Sequence, residues 1–231
     1  RPPRSTLFPY TTLFRSYRNK SLVHALQWAI GLEWYLLVED PWRVVMSTDH
    51  PNGGSFMAYP QIIRLLMDAT YRNDVLRSVH PDVMSRCVLG DIDREYTLNE
   101  ICIITRAGPA KILGLKHKGH LGVGADADIT IYSPHENKEV MFEMPRYVIK
   151  SGEILIDECE LKQQTFGKTF NVAPAYDVEV EADIADWFEQ YYSVQFRNYP
   201  ISDSYETGRC NIVQTNQRCR LPLQHRKPVR R

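Results

Sequence analysis

Cysteine is scarce in this chain: five in 231 residues (Cys87, Cys102, Cys159, Cys210 and Cys219), odd in number and scattered. That pattern excludes a disulfide framework and fits a reducing compartment, the cytoplasm. Net charge is absent, because Lys+Arg and Asp+Glu each total 28, which removes the electrostatic footprint of a general nucleic-acid or anionic-membrane binder. Long apolar runs are lacking as well. The most apolar stretch, Leu22 to Val38, is interrupted by His24, Gln27, Gly31 and Glu33, whereas a spanning helix needs about 20 predominantly apolar residues. The chain does not open with Met or with the charged and apolar regions of a signal peptide. It has no Gly-rich phosphate loop and no internal repeat. Cys210 and Cys219 lack a second pair at zinc-site spacing.

What is present is the composition of a globular protein, 43% hydrophobic and 24% charged. The two ends differ from the middle. Residues 1–16 hold a near-repeat, Thr6-Leu7-Phe8 and Thr12-Leu13-Phe14, among Pro2, Pro3 and Pro9. This stretch reads as an adapter-like, non-native segment, with a docking arm as the alternative. Residues 206–231 carry Arg209, Arg218, Arg220, Arg226, Lys227, Arg230 and Arg231 with no acidic residue after Glu206. No aromatic residue is interleaved to stack on bases, so the expectation is a basic tail, unstructured or non-native.

Between these ends the chain alternates. Ser21–Glu39 has helical composition and Asp40-Pro41 stops it. Arg43-Val44-Val45-Met46-Ser47-Thr48 reads as a short buried strand, running into Asp49-His50-Pro51-Asn52-Gly53-Gly54, a loop of turn formers. Pro60 suits the first turn of a helix over Gln61–Ala69 with Ile62, Leu65, Leu66 and Ala69 on one face. A second helix is expected over Asp74–Cys87. Thr97-Leu98-Asn99-Glu100 is a capping box opening a helix that is interrupted at Gly108-Pro109 and ends near Gly114. From residue 116 the pattern turns to strands: Asp128–Tyr132 alternates, and Tyr147–Lys150 and Glu153–Ile156 flank Ser151-Gly152 as a hairpin would. A last helix near Val180–Tyr191 and an extended run from Ser193 to Tyr199 close the sequence. The expected divisions are 17–115 (α/β), 116–178 (β) and 179–205 (helix plus an aromatic segment).

Asp49 is the candidate for chemistry. A carboxylate just past the C-terminal end of a buried strand stands where barrel enzymes place catalytic groups. There it can ligate a divalent metal and accept a proton; an Asx-turn residue ending a strand is the alternative. His50 points to the other side of an extended chain, toward substrate or a neighbouring loop, or is simply hydrogen-bonded. His117 and His120 have the spacing of a helical ligand pair, but Gly119 between them argues for a loop. Asp126-Ala127-Asp128 looks like a metal motif, yet it leads directly into a strand, where both carboxylates serve turns and edges.

Pro109–Leu115, followed by Gly119-x-Leu121-Gly122-x-Gly124-Ala125-Asp126-Ala127-Asp128-Ile129, resembles the closing signature of the metal-dependent amidohydrolase superfamily. Ser47–Gly54 and Tyr191-Tyr192-Ser193-Val194-Gln195-Phe196-Arg197-Asn198-Tyr199-Pro200 are similar to the A-subunit family of formylmethanofuran dehydrogenases and bacterial formyltransferase/hydrolase complexes. The resemblance implies an α/β fold: the C-terminal part of a (β/α)8 barrel, including its eighth strand, then a small β-sandwich portion and a terminal helix. It implies hydrolysis or formation of the N-formyl amide of formylmethanofuran, with Asp49 as general base and metal ligand and with His50 and Asn52 at the substrate. Two divalent metals, zinc by expectation, and the other complex subunits as partners come with it. A whole barrel takes about 250 residues, and the early His-x-His pair, the carboxylated lysine and two further histidines have no counterpart here. The chain therefore reads as a C-terminal fragment, inactive and without bound metal on its own. The alternatives are a cyclic amidohydrolase of the dihydroorotase or hydantoinase kind, or a non-catalytic interaction module using Tyr191, Tyr192, Phe196 and Tyr199.

Overall fold

Apolar spacing builds the first layer. Helix α1 (Leu22–Leu37) turns Ala25, Ala29, Leu32 and Leu36 inward, the three- and four-residue steps that keep side chains on one helical face. The computed structural model describes residues 19–48, 50, 54–165, 169–174, 177, 179–198 and 210–215. Against α1 pack α2 (Tyr59–Met67), which buries Ile63, Leu65 and Leu66, and α3 (Ala69–Ser78), which buries Leu76. Val83, Leu89, Tyr96, Ile101 and Ile104 complete the same core. Each such apolar side chain contributes about 1.5–3 kcal/mol relative to exposure. The opposite face of α1 exposes Val23, Ile30, Trp34 and Leu37.

The helix boundaries correct the expectations in places. Helix α2 begins at Tyr59, two residues ahead of Gln61, because Ser55 caps a 3-10 turn (Phe56–Ala58) that runs straight into it. The helix expected over Asp74–Cys87 instead spans Ala69–Ser78. Asp68 accepts from the Tyr71 amide at 2.8 Å and starts it, and His80, extended ahead of Pro81, stops it. The capping box forms as read, with the Glu100 amide on Thr97 Oγ1 and the Thr97 amide on the Glu100 carboxylate. Helix α4 (Leu98–Cys102) continues into a π-helical segment (Ile103–Ala107) and then α5 (Gly108–Ile112). Pro109 has no amide to donate, and the widened turn lets the Gly108 amide reach the Ile103 carbonyl.

Val44–Thr48 forms no strand, contrary to expectation; Pro41–Arg43 is a 3-10 turn, and an irregular extended stretch follows. A strand needs a ladder partner, and among the described residues none lies alongside.

The later part of this first unit (1–112 and 116–165) is a four-stranded antiparallel meander. Its strands are β1 (Ile129–Ile131), β2 (Tyr147–Lys150), β3 (Glu153–Asp157) and β4 (Glu160–Leu161), in that order. Helix α6 (Lys138–Glu143) connects β1 to β2 under an Asn137 cap. Ser151 and Gly152, both at positive φ, make the two-residue turn that the hairpin reading required, with Lys150 opposite Glu153. Gly119, at φ +78°, is obligatory for a second reason: a Cβ there would fall 2.7 Å from that of Ala110.

The second unit (113–115 and 166–231) pairs β5 (Thr169–Pro174) with β6 (Cys210–Thr215) in parallel. Parallel pairing requires a crossover, and α7 (Glu179–Tyr191) lies in it. Phe196–Asn198 is a 3-10 turn, which corrects the extended run expected there. Strand β6 falls inside the stretch that composition marks as a basic tail.

Candidate functional site

The Thr48–Gly54 loop carries the residues singled out above. Asp49, Pro51, Asn52 and Gly53 lie outside the described residues, whereas the frame that holds the loop is described on both sides. On entry, the Met46 amide donates to the Ile104 carbonyl at 2.9 Å, the Tyr35 hydroxyl to the Val45 carbonyl at 2.8 Å and the Tyr59 hydroxyl to the Met46 carbonyl at 3.4 Å. Met46 itself is buried. On exit, Gly54 returns to the Thr48 backbone, where an added Cβ would lie 3.6 Å from the Thr48 carbonyl oxygen. Ser55 then caps the turn into α2. The two ends of the loop are thus tied together and anchored to α1, α2 and the π segment.

His50 is exposed, and its ring meets Phe56 edge-on at 4.9 Å. Burial pushes the Tyr35 hydroxyl above the usual phenol range, against the opposing effect of its hydrogen bond with the Ser47 backbone. Tyr35 therefore stays a neutral donor under the loop. Neither Tyr35 nor Tyr59 stands out in the sequence, because a tyrosine on a helix gives no local sign of where its hydroxyl reaches.

Beside Tyr59 opens a cleft of about 480 Å³ lined by Tyr59, Pro60, Ile63, Thr105, Arg106, Tyr132 and Phe142. Arg106 donates to the Tyr132 hydroxyl at 3.2 Å and to Thr105 Oγ1. The Gly-Pro that forces the π segment also sets Thr105 and Arg106 beside this opening, a consequence visible only in three dimensions.

The remaining candidates are occupied by structural bonds. His117 Nδ1 lies 2.9 Å from the Gly124 carbonyl and His120 Nε2 2.9 Å from the Lys116 carbonyl, both in a loop as expected. The Lys118 ammonium donates to Asp126 and Asp128 at 2.7 and 2.6 Å, Lys150 donates to Asp128 as well, and the Ser151 amide adds a bond at 2.9 Å. Burial alone would raise the Asp128 carboxyl, but the two lysines and the Ser151 amide outweigh it and hold the group well below the usual range. Lys118 lowers Asp126 likewise. The Asp-x-Asp motif is a clamp for the sheet. Among the described residues, no group of three His, Cys, Asp or Glu side chains is placed to hold a metal ion.

This frame, with its mixed helices and sheet, belongs to a known class: residues 8–156 match the amidohydrolase family, and the chain is a member of it. Amidohydrolases are generally metal-dependent enzymes. The particular relatives are narrower. One is "Protein FwdA" of Methanocaldococcus jannaschii, 44% identical over 201 residues, covering 82% of this chain and 35% of that protein. Another is FhcA, the first component of the formyltransferase/hydrolase complex Fhc of Methylorubrum extorquens, 42% identical over 180 residues, covering 78% of this chain and 32% of the relative. In three dimensions the chain is similar to a chain in the crystal structure of the FhcABCD complex from Methylorubrum extorquens with methylofuran. The TM-score is 0.71 at 36% identity, over 87% of this chain and 38% of that one. The chain thus spans about a third of the length of the curated relatives it matches. Among the described residues no helix is long and apolar enough to cross a membrane.

Proposed function

We propose that this chain supplies the closing part of an FhcA-like subunit that hydrolyses, or forms, the N-formyl amide of a formylmethanofuran-type one-carbon carrier in the cytoplasm. The likeness to the FhcABCD chain carries this reading, since it extends over most of the sequence and that complex was solved with methylofuran. The anchored ends of the Thr48–Gly54 loop add support, because a general base works only when its backbone is held still.

In this reading Val44–Thr48 becomes the last barrel strand once neighbouring strands lie beside it, and the β1–β4 meander is one face of a sandwich. The Asp49 carboxylate takes a proton from the attacking water as its oxygen adds to the formyl carbon. It returns that proton to the departing nitrogen as the C–N bond breaks, leaving formate and a free amine. His50 and Asn52 contact the substrate from the same loop. The described residues do not by themselves fit a metal site, so no step is written through one. If the longer subunit holds the two zinc ions that the resemblance implies, ligands other than Asp49 come from outside these residues. Partner subunits of a formyltransferase/hydrolase assembly complete the protein.

The test joins this chain to the preceding part of FhcA from Methylorubrum extorquens, co-expressed with its partners, and measures formate release from the N-formyl carrier. Asp49→Ala should lower the rate by about a thousandfold, within the range general bases contribute, with the assembly intact. Unchanged turnover, or faster opening of a cyclic amide such as a dihydroorotate or hydantoin, overturns the reading.

A further inference from the structure

Helix α7 is the element whose sequence and surroundings disagree most. It buries none of its side chains, yet Val180, Ile184, Trp187 and Tyr191 follow one another at four-, three- and four-residue steps. All four lie on one face, between 38% and 62% exposed. The rings are arranged beforehand: Trp187 lies 5.5 Å from Tyr191 and 5.3 Å from Tyr192, while Phe188 stacks on Tyr192 at 4.6 Å and meets Phe196 at 5.9 Å. Around this stripe the helix carries Glu179, Glu181, Asp183, Asp186 and Glu189 and no lysine or arginine. Glu179 and Glu181 stand in the first turn, where carboxylates favour the helix dipole. The Glu179 amide donates to Asp177 Oδ1 at 3.1 Å. The helix thus has local reasons to form without burying its apolar face.

We infer that this face docks on another protein subunit through an apolar groove bordered by lysine and arginine. The inference rests on the reading of the chain as part of an FhcA-like subunit. Charge selects the occupant. A second copy of the same helix would set carboxylates against carboxylates, and helices that settle on anionic lipid carry Lys and Arg beside their apolar face rather than acids. A basic-rimmed groove instead pairs with the acids at the edge while Trp187 and Tyr191 fill its centre, the residue types that most often anchor interfaces.

The probe is the set of FhcB, FhcC and FhcD proteins of the Methylorubrum extorquens complex, purified and mixed with the full 231-residue chain. At low salt one of them should bind, with weaker binding as salt rises. Trp187→Ala with Tyr191→Ala should weaken binding by about a hundredfold, and Asp183→Lys with Asp186→Lys by about tenfold. The second variant alters only exposed positions and keeps the test valid if the first unfolds, as circular dichroism would report. A blue shift of tryptophan emission on binding should disappear in Trp187→Phe. Binding by none of the three, equal binding by folded variants, self-association through Trp187, or adsorption to anionic phosphatidylserine vesicles overturns the inference. Formate release by the joined protein is a separate readout: its loss with docking intact overturns the catalytic reading alone, and its retention with docking unaffected by the α7 variants overturns this one alone.

Discussion

The helical part and the sheet of the first unit hold themselves together by different means. Every fully buried apolar side chain among the described residues lies between Ala25 and Ala110, whereas none of the strands β1–β4 buries one. The helices exclude water, and even their buried charge is absorbed. The Arg72 guanidinium, fully buried, donates to the Leu65, Ile92 and Arg94 carbonyls at 2.9, 2.7 and 3.1 Å. The sheet instead relies on surface clamps. One is Asp128 with its two lysines, and another is Glu158, whose carboxylate accepts from Arg146 and Tyr147 beside a tight turn at positive φ. A frame built on burial stays put when charges are altered; one built on clamps depends on pH and salt.

The strongest way to break the helical frame is Arg72→Met, which strands three carbonyls in a dry interior. It should cost about 4 kcal/mol, read as a lowered urea midpoint; a loss under about 1 kcal/mol would contradict the account of the core. Next comes Tyr96, whose hydroxyl donates to the Tyr35 carbonyl at 2.6 Å. Burial pushes it up to about 12, against the pull of Arg94. Its contribution is full below about 10, the unfolded value, and is lost as pH rises through about 12. Tyr96→Phe should cost about 1.5 kcal/mol at neutral pH and flatten the alkaline limb of a melting-temperature profile. A profile identical to that of the parent would rule out this assignment.

The smallest effect tests the sheet. Asp128→Asn removes the shared acceptor of Lys118 and Lys150 and should cost about 1 kcal/mol, discounted for its partial exposure. Because the folded carboxyls of Asp126 and Asp128 lie below their unfolded values near about 4, their contribution is present above that value and disappears as pH falls below it. Amide exchange of β1 and β2 should accelerate in acid, and Asp128→Asn should remove that dependence. Glu100, held low by Thr97 and Arg94 against its own burial, gives the helices one acid-sensitive bond of their own. If exchange in the helices and the sheet accelerates together in Asp128→Asn, the contrast between the two regions fails.

Much of the local structure was legible. Thr97 and Glu100 name their own helix start, Pro60 sits in the first turn of α2, and Ser151-Gly152 turns the hairpin, each through bonds within a few residues. The start of α3 is hidden because Asp68 gives no signal until one asks which amide it accepts. The site was legible only as a loop. Its composition names Asp49, His50 and Asn52 as candidates, but nothing local announces the Tyr35 and Tyr59 hydroxyls beneath it or the Ile104 carbonyl that receives the Met46 amide. Arg72, one arginine on a polar-looking helix, carries no mark of its complete burial.

What the amino acids determined unaided are the features closed by short loops of bonding: caps, turns, the proline stops, the apolar stripe of α7. Tertiary structure decided what depends on a distant partner. Val44–Thr48, β-branched and extended, becomes a strand only where another backbone lies beside it, because a strand cannot satisfy its own amides and carbonyls as a helix does. The same reason makes the position of the Thr48–Gly54 loop a property of the packed helices and not of its own turn-forming residues.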